Sequence, residues 1–310
     1  MNTWNVRLGI NPLSWMNDDL PALGGATPLS TALREGAEIG YAGFELGNKF
    51  PTEPAALKAT LAEYGLACVS GWYSGHLAGD TVDAEIDRGA AHMEKLRFNG
   101  CKVVVYGEVT GSIQGRMDTP LSKRPRFAGE AQWAAYAARL NAFGEHLKAK
   151  YGITLAYHHH MGAYVESPQD VDQLMALTDP ACVSLLFDTG HAYYGGADDP
   201  VALLRKHVHR VAHVHCKDVR AGVIRQTRNE GLSFLDGVLN GTFTVPGDGD
   251  LDFEAVLSVL REAGYEGWLV VEAEQDPTVA PSYACAKKGY ETLRGIVDKM
   301  AATQAQAEVH

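Results

Sequence analysis

Residues 183–191 read Val-Ser-Leu-Leu-Phe-Asp-Thr-Gly-His, an apolar run that ends in Asp188 and is followed three positions later by His191. Further apolar runs end in the same kind of side chain. These runs end in or lead into Tyr157-His158-His159-His160, His213-Val-His215-Cys-Lys217-Asp218, and Glu272 with Glu274. Strands that end in His, Asp and Glu are what a metal centre at the C-terminal mouth of a barrel requires, because convergent strands bring residues distant in sequence to one ion.

Apolar runs of this kind recur along the chain, with amphipathic helical segments between them. The predicted strands are Arg7–Asn11, Gly43–Leu46, Ala67–Gly71, Lys102–Tyr106, Ile153–His158, Val183–Phe187, Val211–His215 and Trp268–Glu272. Alternating strands and helices in this number predict a single parallel (β/α)₈ TIM barrel with right-handed crossovers. We expect residues 1–300 to form this catalytic domain and residues 301–310 to be a disordered C-terminal tail.

The composition limits the class of protein. The 310 residues include 27 basic and 38 acidic side chains, which gives a formal net charge of −11. Because this charge repels a phosphate backbone, we expect no nucleic acid partner. No apolar run approaches the ~20 residues of a membrane span, and the first residues lack a signal-peptide pattern, so we expect a cytoplasmic protein with no membrane partner. The cysteines are scattered without a Cys-x-x-Cys pair, which argues against thiolate-bound zinc.

Two connections that follow predicted strands are long, whereas the joints at the opposite end of the predicted barrel are short. They are residues 107–129, after the fourth strand, and residues 217–250, after the seventh, and both contain several basic side chains. Loops after the strands surround the active site of such a barrel, so we expect both connections to cover a pocket.

Five motifs, taken together, resemble those of the xylose-isomerase-like TIM barrels that bind divalent metals, a group that includes sugar epimerases, endonuclease IV and inosose dehydratases. The similarity covers nearly the whole chain, and the combination is similar to that of the inosose dehydratases. The motifs are Gly9-Ile-Asn-Pro-Leu-Ser-Trp15 with Asn17-Asp-Asp, Tyr157-His-His-His-Met-Gly162, Asp188-Thr-Gly-His191, Val214-His-Cys-Lys-Asp218 and Val271-Glu-Ala-Glu-Gln-Asp-Pro277. The resemblance implies one divalent ion, Mn²⁺ or Co²⁺, although the ligand types also suit Zn²⁺ or Mg²⁺. It also associates glutathione with the activity, but the sequence has no visible site for it.

The resemblance implies the metal ligands too, which in this superfamily are Glu, Asp, His and Glu from strands five to eight. Asp188 and His215 match the middle two positions, and Glu272 stands at the end of the eighth predicted strand. His158 stands where related epimerases have Glu, so we predict that Glu166, eight positions further on, is the remaining ligand. Direct coordination by His158 is the open alternative, as is a helix-capping role for Glu166.

Other polar and aromatic side chains of these segments are candidates for catalysis or substrate binding. Histidine suits proton transfer because its unperturbed pKa of about 6.5 lets it donate or accept a proton near neutral pH. The predicted catalytic residues are His191, His158, Lys217 and Glu274. The predicted substrate-binding residues are Glu45, Trp72, Tyr73 and His160. Burial in the core explains Trp72 and Tyr73 nearly as well, and a hydrogen-bonded core histidine is an equally good interpretation of His213.

A divalent ion with open positions can bind a carbonyl and its neighbouring hydroxyl, and its Lewis acidity favours an enediolate. Loss of a β-hydroxyl from the enediolate is dehydration, whereas reprotonation on carbon is epimerisation or isomerisation. By resemblance we predict a hydro-lyase that dehydrates 2-keto-myo-inositol (scyllo-inosose) to a trihydroxycyclohexane-1,2-dione in inositol catabolism. The alternative is a ketose or inosose epimerase or isomerase on the same scaffold.

More distant alternatives fit the sequence less well. An apurinic endonuclease needs additional ligands for three zinc ions and a basic groove, which the net charge disfavours. A non-catalytic polyol-binding regulator has no need for the intact set of Asp188, His215 and Glu272. The predicted partner is therefore a small polyol or cyclitol ketone, and association into a homo-oligomer is left open.

Overall fold

The computed structural model describes residues 4–307, with side chains described as far as residue 302. The strands of this part of the chain are β1 (Val6–Ile10), β2 (Gly43–Leu46), β3 (Ala67–Gly75), β4 (Val103–Glu108), β5 (Thr154–His158), β6 (Val183–Asp188), β7 (Val211–Cys216), β8 (Asp218–Val219), β9 (Phe243–Thr244) and β10 (Gly267–Val271). Strands β1 to β7 and β10 close into one barrel, in the order β1-β10-β7-β6-β5-β4-β3-β2, and every pairing in it is parallel. The predicted single TIM barrel is confirmed.

Helices cover the outside of the barrel, as the amphipathic segments predict. They are α1 (Leu29–Ile39), α2 (Pro54–Ala62), α3 (Val82–Phe98), α4 (Glu130–Tyr151), α5 (Pro168–Leu177), α6 (Thr189–Tyr194), α7 (Pro200–His207), α8 (Ala221–Asn229), α9 (Phe234–Leu239), α10 (Phe253–Glu262) and α11 (Ser282–Ala307). Within residues 4–307, none of the helices is both long and apolar enough to cross a membrane. The predicted tail boundary at residue 300 falls inside α11, which continues to Ala307, and residues 308–310 lie outside the described residues.

Most of the hydrophobic core lies between the strands and the helices, where Phe44, Tyr106 and Phe187 are fully buried. The interior of the barrel is apolar at its lower end, where Val105, Ala156 and Leu186 form one small cluster. Because side chains alternate along a strand, the next inward positions on β5 and β6 are His158 and Asp188. Apolar residues therefore fill the lower interior, and polar residues occupy the C-terminal mouth.

The segment from residue 217 to residue 250 is more ordered than the single covering loop that the sequence predicts. It contains the two-stranded antiparallel sheet of β8 and β9 together with helices α8 and α9. These elements bury a second hydrophobic cluster that includes Met161, Tyr194, Phe234 and Phe243. The cluster packs over one side of the barrel mouth, because the rings of Phe234 and Phe243 contact His191.

Candidate active site

Four buried side chains meet at the mouth of the barrel, each at the C-terminal end of a different strand. His158, Asp188, His215 and Glu272 come from β5, β6, β7 and the end of β10, and one nitrogen or oxygen atom of each lies within 4.8 Å of the others. Nε2 of His158 and Nδ1 of His215 each lie 3.5 Å from Oδ2 of Asp188. Nδ1 of His215 lies 2.9 Å from Oε2 of Glu272. Parallel strands place these four residues together although they span more than a hundred positions of sequence.

Neighbouring residues set which nitrogen of each imidazole faces this group. Nδ1 of His158 lies 2.8 Å from the carbonyl oxygen of His159, and since a carbonyl can only accept, Nδ1 carries the proton. The bare Nε2 of His158 is then directed towards Asp188. His215 is oriented the other way round, with Nε2 2.8 Å from Oε2 of Glu45 and Nδ1 facing the group. His158 thus directs a lone pair to the centre of the group. His215 lies between the carboxylates of Glu272 and Glu45; burial lowers its pKa, but these two carboxylates outweigh burial and hold the pKa well above its usual range.

The donor set fits a divalent metal ion. Oδ2 of Asp188 is buried and makes no hydrogen bond among the described residues, although Nε2 of His158, Nδ1 of His215 and Nζ of Lys217 lie 3.5, 3.5 and 3.4 Å from it. Buried polar atoms normally have a hydrogen-bond partner, so a carboxylate oxygen without one, facing two imidazoles and a second carboxylate, fits a site for a cation. Two imidazoles and two carboxylates without thiolate are typical of sites for Mn²⁺, Co²⁺, Zn²⁺ and related ions.

Glu45 supports the group from the end of β2. Its carboxylate accepts from Nε2 of His213 at 2.9 Å and contacts Nε2 of His215. Burial raises the pKa of Glu45, but the positive potential of His215 and His213 outweighs burial and holds the pKa well below its usual range. Asn11, which the sequence motifs contain but which we did not predict as a site residue, donates from Nδ2 to Glu45 at 3.2 Å and to Glu272 at 3.1 Å.

Lys217 is fully buried, and its ammonium group is surrounded by carboxylates. Nζ lies 2.7 Å from Oε1 of Glu272, 2.9 Å from Oε2 of Glu274 and 3.4 Å from Oδ2 of Asp188. It also lies 4.6 Å from the centre of the Phe243 ring. Burial lowers the pKa of Lys217, but the three carboxylates outweigh burial and raise it above the usual value, so the ammonium group stays charged.

The two carboxylates after β10 differ in their affinity for protons. For Glu272, burial favours the protonated form, but the charges of His215 and Lys217 outweigh it and lower the pKa to about 2. For Glu274, burial outweighs the attraction of Lys217 and, with repulsion from Glu272, raises the pKa to about 7. Glu272 is therefore anionic and suited to bind a cation, whereas Glu274 can exchange a proton near neutral pH.

A second group of polar side chains lies beside the first. One ring nitrogen of His160, one of His191 and one carboxylate oxygen of Glu274 lie within 4.8 Å of one another. The rings of His160 and His191 have centroids 4.0 Å apart. Trp72 packs edge-on against His158 and His160. All of these residues were predicted from the sequence as catalytic or substrate-binding candidates.

Two of the predicted site residues, Glu166 and Tyr73, lie outside these two groups of polar side chains. The carboxylate of Glu166 accepts from the backbone N–H of Gly162 at 2.7 Å and lies 3.3 Å from Nε of Arg124, so it is held in the loop after β5 and is not part of the four-residue group. Tyr73 lies on the other face of β3 from Trp72, and its hydroxyl donates to Glu85 in α3. Successive side chains of a strand point to opposite faces, so Tyr73 lies in the core between the barrel and the helices while Trp72 faces the interior of the barrel.

A cavity of about 530 Å³ opens onto both groups, within the ~300–1,000 Å³ that is usual for small-molecule sites. Polar side chains that line it were not predicted as site residues. They include Asn11, Asp18, Asp19, Asn48, Ser74, His92, Lys95, Ser112 and Gln114. Glu45, Trp72, His158, His160, His215, Glu272 and Glu274 line the same cavity, and Lys217 and His191 lie next to it, 2.9 and 4.0 Å from the Glu274 carboxylate. Asn11 is the last residue of the first predicted strand, so its position was the one available sequence signal.

Fold and site together define this protein as a TIM barrel with a candidate metal centre at the C-terminal mouth. The sequence profile described as the xylose isomerase-like TIM barrel matches residues 33–296. The rhizopine catabolism protein MocC of Rhizobium meliloti is 49% identical over 289 residues, which are 93% of this chain and 88% of MocC. An inosose dehydratase of Geobacillus thermodenitrificans is 44% identical over 290 residues, which are 93% of this chain and 96% of that protein. The chain therefore belongs to the xylose isomerase-like TIM barrel family and, within it, to the family of the inosose dehydratases.

Solved structures share the same fold at low sequence identity. An L-ribulose 3-epimerase superposes with a TM-score of 0.67 at 18% identity and covers 98% of both chains. A probable 3-DHS dehydratase of Bacillus anthracis superposes with a TM-score of 0.66 at 12% identity, covering 93% of this chain and 98% of the other. One fold thus carries an epimerase and a dehydratase, so the choice between these reactions depends on the site and on the closer relatives.

Proposed function

We propose that this protein is a hydro-lyase that dehydrates scyllo-inosose to a trihydroxycyclohexane-1,2-dione in inositol catabolism. The observation that carries the proposal is the buried group of two imidazoles and two carboxylates that opens onto a polar cavity. The inosose dehydratases of Geobacillus thermodenitrificans and Clostridium beijerinckii, 44% and 42% identical over most of the chain, support this choice of reaction. These relatives support the choice of substrate, and the geometry of the site supports the choice of chemistry.

The proposed cofactor is one divalent metal ion, with Mn²⁺ or Co²⁺ as the first choice and Zn²⁺ or Mg²⁺ compatible with the same donors. We propose His158, Asp188, His215 and Glu272 as its ligands, so His158 takes the place that the sequence assigned to Glu166. A bound ion supplies Lewis acidity, which lowers the cost of removing a proton next to a carbonyl. Glutathione, which only the family resemblance suggests, is not part of the proposal.

The side chains around the ligands have separate roles in the proposed reaction. Lys217 offsets the negative charge of three neighbouring carboxylates and keeps them in place. Glu274 faces the cavity and takes or gives a proton. In the elimination, the carbon next to the carbonyl loses a proton, the C–O bond of the β-hydroxyl breaks, and the departing hydroxyl takes up a proton to leave as water. Trp72 presents an aromatic surface suited to the C–H face of a cyclitol ring.

The alternative, an epimerase, needs two proton-transfer groups on opposite faces of one carbon. The pair available from the sequence was Glu166 and Glu272. Glu166 is engaged by Arg124 and Gly162 and is not among the residues that line the cavity. This observation favours the dehydratase over the epimerase.

The test is anaerobic incubation of the Mn²⁺-loaded protein with scyllo-inosose in D₂O, following dione absorbance and deuterium incorporation next to the carbonyl. Dione formation that EDTA abolishes is the expected result. Exchange or a new stereoisomer without dione would establish the epimerase instead. Because the 49% identical relative is named for rhizopine catabolism, the assay is repeated with a rhizopine. If neither compound reacts or exchanges, the proposed function is wrong.

The remaining expectations belong to the same proposal. We propose a cytoplasmic protein that acts on a small polyol ketone, without a nucleic acid or membrane partner. Size-exclusion chromatography with light scattering tests whether it forms a homo-oligomer.

A further inference from the structure

The backbone of Met161 contacts two facing histidines through its two polar atoms. Its N–H donates to Nδ1 of His191 at 3.3 Å, and its carbonyl oxygen lies 2.8 Å from Nδ1 of His160. The next residue, Gly162, has a φ of 79°, which lets the chain turn back so that Ala163 N–H donates to the carbonyl of His160. Both contacts are therefore built into the loop between β5 and α5.

These contacts require opposite tautomers in the two rings. An N–H can only donate, so Nδ1 of His191 is bare and its proton lies on Nε2. A carbonyl can only accept, so Nδ1 of His160 carries the proton and its Nε2 is bare. The contact with Met161 N–H leaves His191 with a single ring proton, and the subsite requires His160 to carry a single ring proton as well.

The free edge of His191 has no partner of its own. Its Nε2 is buried, makes no hydrogen bond within the described residues, and lies 4.0 Å from Oε1 of Glu274. That distance is too long for a direct hydrogen bond and suits two atoms that share a third between them. Phe234 packs against both imidazole rings and excludes bulk water from this side.

We propose that His160 and His191, beside Glu274, form a subsite for a single hydroxyl group of the substrate. The hydroxyl oxygen accepts from Nε2–H of His191, and its proton is donated to the bare Nε2 of His160. A carbonyl or ether oxygen cannot donate, and an ammonium group cannot accept, so neither satisfies both rings. The inference rests on the proposed function, because it assigns one hydroxyl of the cyclitol, placed beside the four proposed metal ligands.

The same three side chains have the composition of a second metal site, but two observations disfavour an ion there. The hydrogen bond from Met161 places the proton of His191 on Nε2, the nitrogen that points towards Glu274, so it has no lone pair for a cation. The ammonium group of Lys217 already lies 2.9 Å from Glu274. A neutral hydroxyl satisfies these groups without a further positive charge.

Nitrogen-15 NMR of the histidine-labelled, Zn²⁺-loaded protein tests the tautomers without reference to activity. The resonances are assigned by their loss in His160→Gln and His191→Gln. We expect His160 to be protonated on Nδ1 and His191 on Nε2. The same tautomer in both rings, or a doubly protonated ring at pH 7, would overturn the proposal even if the protein dehydrates scyllo-inosose.

A second experiment separates the hydroxyl subsite from an ion site. His160→Phe and His191→Phe keep a ring but remove the hydrogen-bonding atoms, and each should lower kcat/KM for scyllo-inosose about tenfold or more. The metal content should stay at one ion per chain in both variants. Two ions in the parent protein, or loss of an ion in either variant, would show a metal site and refute the subsite. An inactive parent protein with the predicted tautomers would count against the proposed function alone.

Discussion

His215 lies between carboxylates on both edges of its ring. Glu45 holds Nε2, and Asp188 and Glu272 lie next to Nδ1. Glu45 therefore helps to set the orientation of the His215 ring without having to contact an ion itself. Asn11 donates hydrogen bonds to both Glu45 and Glu272, so these supporting residues and the proposed ligands form one connected network.

At the residue scale, the choice between His158 and Glu166 as ligand can be tested by metal content. We expect His158→Ala to lose most of the bound metal, because it removes one of four converging donors. We expect Glu166→Gln to retain about one ion per chain, because its carboxylate contacts Arg124 and Gly162. Metal is measured by mass spectrometry of the dialysed proteins. Metal loss in Glu166→Gln with retention in His158→Ala would restore the original sequence prediction.

The apolar runs pointed to Asp188, His215 and Glu272, and the family resemblance assigned the first two as ligands. Sequence reasoning chose Glu166 over His158 because it assumed that the loop after β5 returns to the ion, and the backbone path of a loop cannot be read from side-chain types. It placed Tyr73 beside Trp72 in the pocket, although adjacent residues of a strand face opposite sides. Asn11 was overlooked because an amide after a strand is also common in turns.

At the scale of elements, helix α6 lies directly against the end of β7. A Cβ atom at Gly190 would lie 2.7 Å from Cγ and 2.8 Å from Cδ of Lys217. Because Gly190 has no side chain, α6 leaves room for the buried aliphatic part of Lys217. Because the ammonium group of Lys217 is fixed by three carboxylates, the stem has little freedom to move aside.

We therefore expect Gly190→Ala to displace Lys217 and to lower kcat/KM by about a hundredfold, as small displacements in an active site can. Gly295→Ala in α11 is the matched control, since nothing lies within 4 Å of a Cβ there. The control should keep full activity and gain up to about 1 kcal/mol in stability. Steady-state kinetics and urea unfolding measure both quantities. Full activity in Gly190→Ala would contradict the packing argument.

The elements above the barrel were less predictable than the barrel itself. Strands β1 to β7 and β10 follow the apolar runs closely, whereas β8, β9, α8 and α9 fall in a segment that we predicted as a loop. Strands of two residues and a helix of six give almost no periodic signal. Their positions depend on burying Phe234 and Phe243 against the histidines, which is a tertiary effect.

At the scale of the whole molecule, the proposed ion should add to stability. Asp188, Glu272 and Glu274 are buried close together, and Lys217 offsets only part of their charge. An ion at a thousand times its dissociation constant stabilises a protein by about 4 kcal/mol. We expect EDTA to lower the unfolding temperature and Mn²⁺ to restore it, with no such effect in Asp188→Asn. Differential scanning fluorimetry measures the shift, and equal responses of both proteins would refute binding at this site.

The pH dependence of stability should include a contribution from His92 in α3. Burial, with a smaller effect of Lys95, lowers the pKa of His92 to about 4. The unfolded chain has a pKa of about 6.5, so it binds more protons than the folded chain between these values, and stability falls as the pH falls. The loss should be about 2 kcal/mol between pH 8 and pH 5.

His92→Gln removes the titrating group and serves as the control for this prediction. Urea unfolding at pH 8, 6.5 and 5, with EDTA present throughout, measures the difference between the two proteins. We expect the variant to lose about 2 kcal/mol less than the parent protein over this range. Parallel losses would mean that His92 does not titrate differently in the folded and unfolded states.

The contacts of Met161 with His160 and His191 use only atoms that every amino acid except proline possesses. Which nitrogen of each imidazole carries the proton thus depends on the path of the backbone and not on the side chain at position 161. Other side chains that fill the same space can replace methionine without changing which nitrogen of each ring is protonated. Proline, which lacks the N–H, cannot. A comparison of side chains among relatives would therefore pass over the residue that decides what His160 and His191 can bind.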